Sequence, residues 1–153
     1  MKRALISPLL LVLAFGFSLF FAAPATQAQK HPDKIKKTKY VTGKLAGFEQ
    51  GDYIHAIVKP AKGENLSFFI GGPESISFFL AAHQGQQVRI TYQEVRSWIE
   101  EAGGYTDIER ISAVRTTAGL THTAWWAAER KKSSLKKLRA KYGDLLQKAV
   151  VNQ

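Results

Sequence analysis

From residue 40 to residue 115 the chain alternates apolar and polar positions with the period of a strand, broken once by a helical spacing. Val41, Gly43 and Leu45 share one face of a first strand over residues 40–48, because successive side chains in a strand point to opposite sides. Gly43 and Gly47 let that strand bend sharply. Residues 49–52 (EQGD) make a turn, and residues 53–59 alternate Ile54, Ala56 and Val58 against Tyr53, His55 and Ile57. A second turn over residues 60–64 leads to a third strand over residues 66–70, which sets Leu66, Phe68 and Ile70 against Phe69. Gly71-Gly72-Pro73 stops it. Ile76, Phe79, Leu80 and His83 then form one stripe of a helix over residues 74–83, entered at Pro73 and left at Gly85.

A fourth strand covers residues 87–95, with Val88, Ile90 and Tyr92 against Arg89, Thr91 and Gln93. Residues 96–106 lack alternation and read as a long loop. In the fifth strand, residues 107–115, Ile108 and Val114 have one parity and Ile111 and Ala113 the other, which predicts a β-bulge. Beyond residue 119 the pattern turns helical. Thr121 or Thr123 can cap a helix entering Ala124-Trp125-Trp126, and Ser133 or Ser134 offers a second cap, so the tail is one kinked helix or two. Leu135, Leu138, Tyr142, Leu145 and Ala149 form an apolar seam opposite Lys136, Lys137, Lys141 and Lys148.

Strand–strand–strand–helix–strand–strand resembles the OB-fold, a small five-stranded Greek-key barrel used mostly for binding. The resemblance rests on element order and covers about half of the chain. It implies a mainly β protein: a five-stranded OB-like barrel over residues 40–115, one helix between strands 3 and 4, and a C-terminal helical extension. A sandwich fragment or an SH3-like barrel is the competing architecture, and the helix counts against both.

The first 28 residues read as a leader. Lys2 and Arg3 precede an apolar run, and small residues follow it, so cleavage fits after Ala25 or after Ala28. The alternative is an uncleaved anchor, since the run approaches the ~18–20 residues that cross a bilayer. Export to a periplasm or the exterior is therefore expected. The formal charge of +10 lies at the two ends. Residues 29–39 contain five lysines against one acid and read as a mobile basic arm, whereas residues 40–120 carry seven basic and nine acidic side chains. The basic amphipathic tail, residues 116–153, carries eight basic and two acidic ones. A nucleic-acid-binding barrel would place its basic residues on its own binding face. Single-stranded nucleic acid is accordingly the less favoured partner.

No catalytic residues and no cofactor are expected. The chain has no cysteine, which excludes disulfides and thiol chemistry. His31, His55, His83 and His122 are scattered without ligand spacing, so no metal site is expected. The acidic pairs Glu49/Asp52 and Glu100/Glu101 have no nucleophile or acid beside them in sequence. A secreted nuclease-like hydrolase shares the architecture and basic charge, but its site cannot be matched here. Arg89, Arg96, Arg110 and Arg115 read as outward-facing strand residues. The OB resemblance implies a ligand face over strands 2 and 3 and two adjoining loops, here His55, Ile57, Phe69, Trp98 and Tyr105. The expected ligand is a protein or a small cell-envelope molecule. The second candidate surface is the tail, where Trp125, Trp126, Arg130, Lys131, Lys132, Lys136, Lys137 and Lys141 suit an anionic membrane. The competing reading packs the Trp pair and the seam on the barrel as a lid.

Overall fold

A computed structural model describes residues 31–151. The leader, both cleavage points and the first two residues of the basic arm lie outside the described residues. Five strands and three helices follow in the order β1 (Lys34–Gln50), β2 (Ile54–Pro60), β3 (Leu66–Phe69), α1 (Glu74–Ala82), β4 (Gln87–Ile99), β5 (Gly104–Thr116), α2 (His122–Lys132) and α3 (Leu135–Val151). The strands form one mixed sheet whose hydrogen bonds close in a ring, β1-β2-β3-β5-β4. All neighbours are antiparallel except β3 and β5, which meet in parallel at Phe69 and Arg110.

β1 closes the ring because it is long enough to pair on both edges. Its first part pairs only with β4, while Gly43 and Lys44 pair with β2 and β4 at once. The strand can make that passage because position 43 has no side chain: a Cβ there would stand 2.6 Å from the Lys59 carbonyl oxygen. The bulge expected in the fifth strand is present. Tyr92 pairs with Ile111 and Thr91 with Ala113, leaving Ser112 as the extra residue. Val88, Ile90, Ile111 and Val114 thereby all face inward despite their mixed parity.

Two expectations are corrected at the ends of these strands. Residues 34–39 are not a loose arm but the start of β1, paired with Tyr92–Arg96 of β4. Residues 96–106 are not a long loop either: β4 and β5 continue through Trp98 and Tyr105 to a tip at Glu100–Gly103. Both stretches escape a hydrophobic pattern because this three-stranded extension is largely solvated, and only Val95 and Ser97 are buried in it.

α1 explains how so small a sheet holds a core. Ile76, Phe79 and Leu80 enter the ring with Leu45, Phe48, Val58, Phe68, Val88 and Ile90. Phe78, on the opposite side of the helix, packs with Leu138 and Tyr142 of α3. A helix apolar on both sides is a buried helix, here the middle layer between ring and tail. The tail is two helices. Thr121 caps α2 by accepting from the Ala124 N–H at 3.2 Å, and extended backbone at Ser133 separates α2 from α3. The buried seam of α3 is Leu138, Tyr142 and Ala149, with Leu146 and Val150 against the core. Leu145, expected in that seam, is 38% exposed. None of the described helices is long and apolar enough to cross a membrane.

α1 and α2 are pinned at their N-terminal ends by a buried contact, Ser75 Oγ to His122 Nδ1 at 3.1 Å. Burial holds the His122 pKa below its ordinary value of 6.5. The unfolded chain therefore takes up a proton that the folded chain resists, and stability present above pH 6.5 is lost as the pH falls below it. Urea midpoints measured on either side of that value should show the loss, and His122→Asn should reduce it. An unchanged acid response in His122→Asn would remove His122 as its cause.

Candidate functional site

The expected ligand residues form two neighbouring aromatic groups. On the outer face of β2 and β3, His55 and Phe69 are direct register partners with ring centroids 6.1 Å apart. Tyr53, in the turn before β2, meets the Phe69 ring edge-on at 5.1 Å. Phe69 lies close over Gly71, where a Cβ would stand 2.5 Å from its Cε1, so this ring is packed down rather than free for stacking. Ile57 continues the face one rung on, paired with Ser67. Asp52, Tyr53, Phe69, Ile70, Pro73 and Leu146 are among the residues around a recess of about 360 Å³ beside this group.

The second group sits at the tip of the β4–β5 hairpin. Trp98 and Tyr105 are register partners, with rings 5.5 Å apart at 84°. His31 stacks on Trp98 at 4.1 Å and 13°, and approaches Tyr105 edge-on at 6.1 Å. Two residues later the Asp33 carboxylate accepts hydrogen bonds from Ser97 Oγ and Arg110 Nη1, both at 2.5 Å. The Ser97 bond and then the Arg110 bond hold the Asp33 pKa below its ordinary range. The chain before β1 is thus strapped across the hairpin, beside a recess of about 570 Å³ lined by Pro32, Asp33, Lys34, Arg96 and Tyr105. Trp98 and Tyr105 remain 36% and 42% exposed.

Two links join the groups. Tyr53 Oη donates to the Glu101 carboxylate, tying the β1–β2 turn to the hairpin tip. That bond lowers the Glu101 pKa and raises that of Tyr53. Arg110 is the other link, paired in register with Phe69 and bonded to Asp33. The result is one aromatic strip from His55 to Trp98, with Asp52, Glu100 and Glu101 on the turn and tip that flank it. Sequence reasoning missed His31, Asp33, Tyr53 and Arg110. The legible signal was the placement of Trp98 and Tyr105 on either side of Gly103-Gly104, a spacing that suits a hairpin with an aromatic pair across it.

In the tail, the tryptophans face inward and the cations outward. Trp125 meets Phe79 edge-on at 5.6 Å and Tyr142 at 5.0 Å, and Trp126 lies 5.6 Å from Phe78. Both are half-buried in the helical layer. Lys132 and Lys141 stand with Glu129, at 2.9 and 3.9 Å. Arg130, Lys131, Lys136 and Lys137 are exposed around the turn between α2 and α3 and make no ion pair among the described residues.

Among the described residues no group of three or more His, Asp or Glu side chains lies close enough to hold a metal ion. No protein-family model, curated protein or solved structure matches this chain, so its functional reading rests on the geometry of the aromatic strip and the charged surfaces around it.

Proposed function

We propose that this chain is an exported, non-enzymatic binding module of the cell envelope, built on an OB-like Greek-key barrel. The ring order, the parallel β3–β5 contact and the helix between β3 and β4 support the barrel. In such a fold ligands meet strands 2 and 3 between the first turn and the strand 4–5 loop. Here the Tyr53–Glu101 bond joins those two elements beside the exposed Trp98–Tyr105 pair, and that juxtaposition carries the reading. Exposed rings flanked by carboxylates suit a neutral or cationic ligand with a flat or ringed face, and they repel polyphosphates.

Soluble N-acetylglucosamine oligomers and a lysine-rich peptide are suitable probes of the two ligand classes. Binding should change the fluorescence of the parent protein and be lost in Trp98→Ala with the fold intact. A response that survives in Trp98→Ala, or none to either probe, would remove the strip as the binding site.

A second surface is favoured by one observation, the cations at the α2–α3 turn that make no ion pair among the described residues. Arg130, Lys131, Lys136 and Lys137 would contact an anionic surface through charge alone, because Trp125 and Trp126 face the helical layer. Such contact is salt-sensitive by nature.

A further inference from the structure

We propose that the outer wall formed by β1, β4 and β5 carries a binding site for a phosphate group, built on Arg89 and Arg115. The two arginines are direct register partners on adjacent strands, with Thr42 completing the row on β1. Val88, Ile90 and Val114 point into the ring, so Arg89 and Arg115 must point out of it. Like charges directly opposite across a sheet repel and destabilise it. Yet neither arginine makes an ion pair among the described residues, where Lys36, Lys39, Arg110, Lys132 and Arg139 all do.

The next rung repeats the pattern. Lys44 pairs directly with Lys59, both exposed and likewise without an ion-pair partner among the described residues. Like-charge pairs on successive rungs, one across β4 and β5 and the next across β1 and β2, make a local positive field that a bound anion would relieve.

The site also has shape. Arg89 is held over the ring of Tyr40, its guanidinium carbon 3.9 Å from the centroid, which restricts it along the wall. The turn after β5 rises beside Arg115, fixed by Gly119 N–H donating to the Thr116 carbonyl at 3.0 Å and by Gly119 at φ +94°. Arg89, Arg115, Thr42, Thr117 and Gly119 thus border a recess of about 300 Å³. Two guanidinium forks with hydroxyls beside them match the donor geometry that phosphate oxygens take. The Thr116 hydroxyl accepts from the Leu120 N–H at 3.2 Å and keeps its own proton to donate, alongside the hydroxyls of Thr42 and Thr117. The site is independent of the aromatic strip, whose flanking carboxylates exclude the same chemistry.

The test uses the protein expressed from its full-length chain, titrated with inorganic phosphate and with pyrophosphate against chloride at equal ionic strength. Arg89→Gln and Arg115→Gln should each weaken phosphate binding about tenfold, the effect of one charge-assisted contact. In phosphate-free buffer Arg115→Gln should unfold at the same temperature as the parent or higher, because a repulsion has been removed, whereas Arg89→Gln also gives up its contact with Tyr40. Vesicles of phosphatidic acid in a neutral lipid form the second arm. Arginine-dependent binding to these but not to soluble phosphate would place the phosphate on a lipid headgroup, and the reverse would make it a free anion. Binding that both variants retain, no binding in either arm, or an Arg115→Gln variant less stable than the parent without phosphate would each overturn the site.

Discussion

Gly43→Ala should lower the unfolding free energy by about 3 kcal/mol, the upper range for forcing extra carbon into a packed site. The added methyl would lie 2.6 Å from the Lys59 carbonyl oxygen, 2.9 Å from its carbonyl carbon and 2.8 Å from Val58 Cγ1. Two of these three atoms are backbone, so relief requires β2 to move away from β1. Movement there breaks the pairs Gly43–Pro60 and Lys44–Lys59, which begin the β1–β2 side of the ring. Alanine opposes this with a lower unfolded-state entropy, a gain of only about 0.5–1 kcal/mol where its backbone is compatible. The clash therefore wins. Gly51→Ala is the control, because a Cβ at position 51 meets nothing within 4 Å. Urea denaturation should show a lowered midpoint for Gly43→Ala and little change for Gly51→Ala. Equal midpoints would mean that β1 does not need its close approach to close the ring.

The sequence made the ring legible wherever one side of a strand is buried. Val41, Leu45, Ala56, Val58, Val88 and Ile90 announce strands through alternation, and the mixed parity of Ile111 and Val114 announces the bulge at Ser112. Pattern reading fails where neither face is covered, as in Lys34–Thr38 of β1, where all five side chains are exposed. Lysines on an exposed edge are also a common guard against unwanted strand pairing, so strand and solvated arm look alike in composition. The β4–β5 tip was hidden for the same reason. In α1 the apolar stripe was visible but Phe78 was not placed, because a helix buried on two sides needs two partners and the sequence displays only one period.

The candidate site followed the same division. His55 and Phe69 meet because a short turn makes β2 and β3 neighbours, which their local sequence already contains. The stacking of His31 on Trp98 depends on Asp33 reaching Ser97 and Arg110 across more than sixty residues, at separations of 64 and 77. No local period encodes such a contact. The Arg89–Arg115 pair shows the intermediate case, since outward parity was readable on each strand and the direct register between them was not.

Tyr142→Ala should cost about 4 kcal/mol, in the range for removing a buried aromatic side chain. Tyr142 is only 4% exposed and lies between α1 and α2, 6.0 Å from the Phe78 ring, 5.0 Å from Trp125 and 6.5 Å from Trp126. Its hydroxyl donates to Glu129 at 2.6 Å and accepts from Lys141 at 3.1 Å. That hydroxyl bond is the foremost cause of the lowered Glu129 pKa, so its loss leaves the carboxylate to Lys132 and Lys141. Tyr142→Phe keeps the ring and gives up only the bond, a loss of about 1 kcal/mol. The difference between the two variants separates packing from hydrogen bonding. Because Leu146, Ala149 and Val150 on the same helix reach the ring core, undocking α3 at Tyr142 should also expose its lysines and arginine to trypsin and reduce the near-ultraviolet tryptophan dichroism. Those two signals decide between the competing readings of the tail. If α3 is a lid, Tyr142→Ala destabilises the whole protein, while Lys136→Gln with Lys137→Gln leaves stability alone and weakens only salt-sensitive binding to acidic vesicles. If Tyr142→Ala leaves the unfolding midpoint and trypsin resistance unchanged, the helix does not brace the ring, and the seam with its tryptophans becomes available for a membrane surface.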